Sequence, residues 1–247
     1  MGQVPNKSGK PKYLIVGNGR LAKHFLHYFD LLGVSYIQCA RENLNEFVEL
    51  SNPSGKSESV DRILLLIRDD QIENFIREYK SKISPQLIWI HCSGVLSIEE
   101  AESAHPLASF SEVLFNLRFY KSIPFVTEKG RKNFHELFPQ LQNPSFEIYK
   151  EEKELYHAWC SIAGNFTTIL WQNFFNYLKD DLLLPSQAAH QFLVSISENL
   201  IRSNDPLTGP LKRGDAKTIE RHLRHLKNSP LEDVYKSFIK LFEKSKR

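Results

Sequence analysis

Hydrophobic residues change their spacing twice along the chain, and those changes divide it into three parts. Residues 1–12 are polar, with Pro, Gly and Lys, and read as a disordered arm. Tyr13-Leu14-Ile15-Val16 is a short apolar run ending at Gly17, the pattern of a buried strand. Leu21, Phe25, Tyr28, Phe29 and Leu32 follow at helical spacing, and Gly33 is placed to stop that helix. Further strands are predicted over 34–39, 62–67 and 87–90, with a polar loop around Asn52-Pro53-Ser54-Gly55 and a helix over 72–79. The uninterrupted apolar run Ile63-Leu64-Leu65-Leu66-Ile67 suits a strand covered on both faces. Alternation of strands and helices at this spacing predicts βαβ units and a parallel sheet, which shorter strands at 123–126 and 146–149 would extend.

Past residue 150 the period becomes helical throughout. From Glu151 to Asp180 Gly164 is the sole Gly or Pro, and Tyr156, Trp159, Ala163, Phe166, Leu170, Phe174 and Tyr177 recur at steps of three and four. Ile162, Ile169, Trp171 and Phe175 widen that stripe, so the helix is expected to be buried on most sides. Ala189, Phe192, Ile196 and Leu200 mark another helix, and two shorter ones start at Asp215 and Leu231. The predicted organisation is an α/β domain over 13–150 followed by an all-α domain over 151–247. Surplus apolar surface on the long helix predicts a homodimer built on the C-terminal helices.

Composition narrows the function classes. Among 247 residues, 32 are basic and 29 acidic, for a net charge of +3. The dense basic stretches, Arg213–Arg224 and Lys244-Ser245-Lys246-Arg247, read as a solvated helix face and a chain end, so no nucleic-acid partner is expected. No apolar run approaches the ~18 residues of a membrane span, and the first residues carry no apolar signal region. Three cysteines, Cys39, Cys92 and Cys160, lie far apart and are odd in number, which argues against a disulfide framework. A cytoplasmic location is expected. His91-Cys92 has no second pair at ligand spacing, so no metal is expected.

The most specific chemistry lies at Gly17-Asn18-Gly19-Arg20-Leu21-Ala22, which fits G-x-G-x-x-G/A between a predicted strand and a predicted helix. Gly17 permits the tight turn, Gly19 leaves the backbone open to a pyrophosphate, and Ala22 lets the helix pack close to the strand. The N–H groups that begin the helix would hold the phosphates. The first domain is therefore expected to be Rossmann-like. The second strand ends at Cys39-Ala40-Arg41. An arginine there suits a ribose 2′-phosphate, hence NADP (NADPH), whereas an acidic residue would suit NAD. Glu42 follows immediately.

Gly17–Ala22, Leu64-Leu65-Leu66-Ile67-Arg68-Asp69-Asp70, His91-Cys92-Ser93-Gly94 and Ala104-His105-Pro106-Leu107 together carry a family resemblance. So do Tyr156-His157-Ala158, Ala163-Gly164-Asn165-Phe166 and the stretch from Thr208 to Asp215. They resemble the NADP-dependent oxidoreductases that join a Rossmann-like N-terminal domain to a little-characterised helical C-terminal domain. That family is similar to pyrroline-5-carboxylate reductase and, more distantly, to the β-hydroxyacid dehydrogenases and prephenate dehydrogenase. The resemblance implies that Ile67 and Arg68 lie against the adenosine and nicotinamide ribose. It also implies that Ser93 and Gly94 approach the nicotinamide, that His105 faces the cleft, and that the helix of Asn165 forms the other wall. The β-hydroxyacid dehydrogenases carry a catalytic lysine one turn before that asparagine. Here the position is Ser161, so the lysine mechanism does not carry over.

The leading expectation is an NADP-dependent oxidoreductase acting on a small carbonyl or imine substrate between its domains. His105, Asn165 and Ser93 are the candidate catalytic residues, and Arg213 is a candidate contact for an anionic substrate. His157 reads as structural, and Asp215 as a helix N-cap. The alternative is a sensor or scaffold that binds NADP(H) without chemistry.

Overall fold

The structure is a computed structural model that describes residues 12–51 and 60–245, without the side chains at 41 and 42. The predicted N-terminal arm, the loop at 52–55, the end of the basic tail and the Arg41 guanidinium lie outside what is described.

Among the described residues, strands β1 (Tyr13–Val16), β2 (Tyr36–Cys39), β3 (Arg62–Leu65), β4 (Ile88–His91), β5 (Glu102–Pro106), β6 (Phe125–Glu128) and β7 (Ser145–Ile148) form one sheet. Its order is β2-β1-β3-β4-β5-β6-β7. The first five strands are parallel, β6 runs antiparallel to β5, and β7 is parallel to β6. Helices in this part are α1 (Arg20–Leu32), α2 (Phe47–Ser51), α3 (Asp69–Tyr79), α4 (Leu117–Ser122) and α5 (Phe134–Leu137). Thereafter come α6 (Lys153–Cys160), α7 (Thr167–Asp180), α8 (His190–Arg202), α9 (Gly209–Arg213), α10 (Ala216–Leu226) and α11 (Leu231–Ser245). No helix of the described residues is long and apolar enough to cross a membrane.

Side chains alternate across a strand, and β1 shows what that does. Tyr13 and Ile15 enter a core with Phe25 and Phe29 of α1, while Leu14 and Val16 enter a second core with Ile72 and Ile76 of α3. The sheet is therefore apolar on both faces, as its uninterrupted hydrophobic runs require. Gly33 ends α1 in the left-handed conformation, at φ 64°.

One strand is not expected from the sequence, and one expectation is revised. Glu102–Pro106 is a strand although its residues, Glu-Ser-Ala-His-Pro, neither alternate nor favour strands; pairing with β4 and β6 on either side makes it one. The helical stretch from 153 to 180 is not buried on most sides: Leu155, Trp159, Ile162, Phe166, Ile169 and Tyr177 are exposed. It also contains a π-helical segment, Ser161–Phe166, between α6 and α7. Strands give way to helices after Ile148, and compactness divides the chain later, into one unit ending at Ile169 and another beginning at Leu170.

Candidate active site

The glycine loop turns where the sheet order reverses. β1 has β2 on one side and β3 on the other, so the crevice beyond their carboxyl ends is the topological switch point at which open α/β sheets bind ligands. Gly17 sits at φ 130°, and a Cβ there would lie 2.3 Å from the Leu66 carbonyl oxygen. The chain can pass between β1 and β3 only because that atom is missing. Its N–H donates to the Cys39 carbonyl at 3.0 Å, and its own carbonyl accepts from Gln38 Nε2 at 3.0 Å. Gly19 caps α1, and a Cβ built there would meet nothing within 4 Å. The first intrahelical bond runs from Lys23 N–H to the Gly19 carbonyl, so the N–H groups of the preceding turn have no acceptor within the helix. Ala22 is fully buried, so α1 packs closely on the sheet.

A cavity of about 650 Å³ opens over this loop, lined by Gly17 to Leu21 on one side and Leu66, Ile67 and Arg68 on another. An open approach to Gly19, free N–H groups and the positive end of α1 fit a pyrophosphate. A larger cavity, about 750 Å³, lies at the end of α3 and the start of β4, among Arg77, Lys80 and Trp89. It has no glycine loop and includes the strand's opposite end, so the smaller cavity is the better site. Arg41 begins a 3₁₀ segment, Arg41–Glu46, immediately after β2 and Ala40. Arg20 and Arg68 are exposed; Arg20 faces Glu112 at 3.8 Å, and the Arg68 guanidinium grips Asp70 through two bonds of 3.1 and 2.8 Å.

The turn after β4 brings in the next predicted residues. The Ser93 hydroxyl donates to Asp69 Oδ2 at 2.6 Å and accepts from the N–H groups of Val95 and Leu96, while its own N–H donates to His91 Nδ1 at 3.2 Å. The Ser93 proton is thus engaged in tying this turn to α3. His91 is fully buried, its Nε2 has no partner among the described residues, and burial drives its pKa down to about 3. Buried thiols at Cys39 and Cys92 are pushed up, Cys39 to about 11, so neither is an activated nucleophile.

Gly94 makes the next contact possible. A Cβ on it would lie 2.5 Å from His157 Cδ2 and 3.0 Å from His105 Cδ2, so two imidazoles close on a backbone without a side chain. Their rings meet edge to face, with centroids 5.6 Å apart. His105, on β5, also has its Nδ1 2.9 Å from the Tyr156 hydroxyl. Burial, with His157 and Lys153 adding, lowers the His105 pKa to about 4, so the ring is neutral at ordinary pH.

Sequence reasoning missed the group that anchors this cluster. Lys153, at the start of α6, is buried, with its Nζ 2.9 Å from Glu128 Oε1 on β6 and 2.6 Å from Ser103 Oγ on β5. Ser97 Oγ donates to the other Glu128 oxygen at 2.8 Å. Burial pulls the Lys153 ammonium below its usual range, and Glu128 opposes that. No linear signal marks Lys153, which sits in the charged run Lys150-Glu151-Glu152-Lys153-Glu154 and looks like its neighbours. Asn165 is exposed in the π-helical segment, and Arg213 is exposed at the end of α9, in the second compact unit. Asp215 caps α10, its Oδ1 accepting from Thr218 N–H at 3.1 Å.

Comparison with known proteins agrees with this architecture. No curated protein matches the chain in sequence. A Bacteroides fragilis protein provisionally named an NADP oxidoreductase superposes with a TM-score of 0.75 at 16% identity, over 95% of this chain and 98% of that one. Protein TM1727 of Thermotoga maritima gives 0.68 at 23% identity, over 95% and 100%. The 1-pyrroline-5-carboxylate reductase of Streptococcus pyogenes gives 0.59 at 14% identity, over 94% and 96%. At such identities the likeness is one of fold. Residues 124–241 match the model of a domain of unknown function, DUF2520, a range that takes in β6 and β7 of the Rossmann-like sheet and the helices that follow into α11.

Proposed function

We propose that the protein is an NADP(H)-dependent oxidoreductase that moves a hydride between nicotinamide and a small carbonyl or imine substrate. The observation that carries this reading is the glycine loop at the switch point, where Gly17 admits no side chain and Gly19 faces open space. When bound, the dinucleotide supplies the hydride chemistry, which protein side chains do not provide. The chain's own part is binding, orientation and the handling of a hydrogen bond. Arg20, Leu21 and Ala22 offer N–H groups to the pyrophosphate, Asn18 flanks them, Ile67 and Arg68 border the ribose, and Arg41 selects the 2′-phosphate. The Gly94 backbone, against which the His105 and His157 imidazoles pack, borders the nicotinamide, Ser93 holds the turn that carries it, and His105 meets the substrate. Asn165, in the same compact unit as His105, is a proposed catalytic-site contact.

Exposed Leu155, Trp159 and Phe166 support a homodimer through the C-terminal helices, since apolar surface of this kind marks interfaces. A cytoplasmic setting fits the free thiols of Cys39 and Cys92. One observation favours the sensor alternative: Ser161 has no proton to give near neutral pH where related dehydrogenases have lysine. Calorimetry with NADPH tests binding, and a screen of keto acids and cyclic imines with NADPH tests turnover. Saturable binding with turnover supports the enzyme, binding without turnover the sensor, and no binding defeats both.

A further inference from the structure

We infer that Tyr156 is a positioning residue for His105: its hydroxyl donates to Nδ1 and holds the ring in the Nε2–H tautomer, whose N–H, alongside Gly94, serves as hydrogen-bond donor to the substrate carbonyl or imine. The inference rests on the oxidoreductase reading for the identity of the acceptor, but not for the tautomer.

The geometry supplies both ends of the ring. Nδ1 is 2.9 Å from the Tyr156 oxygen. Nε2 is at the Gly94 end, 3.1 Å from where a Cβ would stand on that residue. One proton lies between Tyr156 and Nδ1, and chemistry decides its owner. A phenol is a stronger donor than a neutral imidazole N–H, and an imidazole nitrogen is a stronger acceptor than a phenol oxygen. Tyr156 has a second neighbour in Cys160, which together with burial pushes the phenol up. A thiol is a weak hydrogen-bonding group, so the hydroxyl proton goes to the imidazole.

The helix is held so that this bond forms. Lys153 is clamped by Glu128 and Ser103, and Tyr156 and His157 follow one turn later on the same face. The groups facing His105 are Tyr156, His157 and Lys153 from α6, while His91 on the neighbouring β4 stands opposite Ser103. The Glu128 carboxylate on β6 is committed to Lys153 and Ser97. His105 is thus kept neutral among these groups, and a neutral donor polarises a carbonyl without itself titrating near pH 6.5.

Long-range ¹⁵N–¹H spectra of the whole protein, labelled at histidine and free of nucleotide, read the tautomer directly. The expected result is a protonated Nε2 and an unprotonated Nδ1 for His105 at pH 7. In Tyr156→Phe the preference should weaken and the His105 titration should move upward, with the thermal midpoint recorded to show that the variant folds. Where turnover is measurable, Tyr156→Phe should lower kcat on the order of tenfold with the KM for NADPH unchanged. An Nδ1–H tautomer in the natural protein overturns the inference, whether or not the variant folds, and so does an unchanged tautomer and titration in Tyr156→Phe. Absence of NADPH binding by calorimetry would instead defeat the oxidoreductase reading and leave the tautomer assignment standing.

Discussion

Lys153 and Glu128 form an ion pair at 2.9 Å with both side chains almost wholly buried, joining the first turn of α6 to strand β6. Removing one partner of such a pair leaves an uncompensated charge in the interior, at a cost of about 3–5 kcal/mol. Lys153→Met should therefore destabilise the protein strongly. The double variant with Glu128→Gln should recover much of the loss, because the stranded carboxylate is gone. Urea titration of the natural protein, both single variants and the double checks this. A Lys153→Met variant within ~1 kcal/mol of the natural protein would contradict it.

Gly17 and Gly19 should respond differently to the same added methyl group. Alanine at 17 meets the Leu66 carbonyl oxygen at 2.3 Å and takes a positive φ, so Gly17→Ala should lose ~2 kcal/mol or more. For a chain of this size that lowers the midpoint by at least about 4 °C. Gly19→Ala meets open space and should melt like the natural protein while binding NADPH more weakly. Differential scanning calorimetry and ligand titration on both variants separate fold from binding.

At Gly94 the neighbours are rings rather than backbone. Gly94→Ala must displace the imidazoles of His157 and His105, the former from 2.5 Å. The variant should fold, because side chains can turn aside, yet its His105 titration should rise from about 4 toward the ordinary value as the ring leaves its buried place. Proton NMR against pH follows that titration, and an unmoved His105 would count against the packing described.

Acid should weaken the fold through His91. Its folded pKa, about 3, lies below the ordinary value near 6.5, so below pH 6.5 the unfolded chain binds the proton and the folded chain does not. Stability is full above the unfolded pKa and falls as pH drops from 6.5 toward 3, by up to about 1.4 kcal/mol per pH unit from this residue. His91→Asn keeps an acceptor for the Ser93 N–H and removes the titration. Its stability should fall less steeply between pH 6 and 4, as measured by urea titration at each pH.

Cofactor preference tests Arg41. A charge-assisted bond to a 2′-phosphate contributes about 1.5–3 kcal/mol, so NADPH should bind at least about tenfold tighter than NADH. Arg41→Ala should remove most of that gap and leave NADH affinity nearly unchanged, and added salt should weaken NADPH binding more. Equal affinities, or a preference untouched by Arg41→Ala, would shift attention to Glu42.

Local rules carried the sequence a long way. Tyr13–Val16 is a strand, Arg20–Leu32 a helix stopped by Gly33, and the glycine loop lies between them, because apolar runs, helical spacing and glycine conformations act within a few residues. The start of α11 at Leu231 and the Asp215 cap were legible for the same reason, although α11 runs for 15 residues where a shorter helix was expected. What escaped depends on residues distant along the chain. Glu102–Pro106 becomes a strand only through its two neighbours, and β6 runs antiparallel to β5, an orientation that no local pattern encodes. Lys153 looks like a surface lysine until Glu128 and Ser103 arrive from 25 and 50 residues away. His105 gains its meaning from Gly94 and Tyr156 in the same way. Burial and partnership are properties of the packed molecule, and they turn an ordinary Lys, His or Tyr into a buried ion pair or a neutral donor.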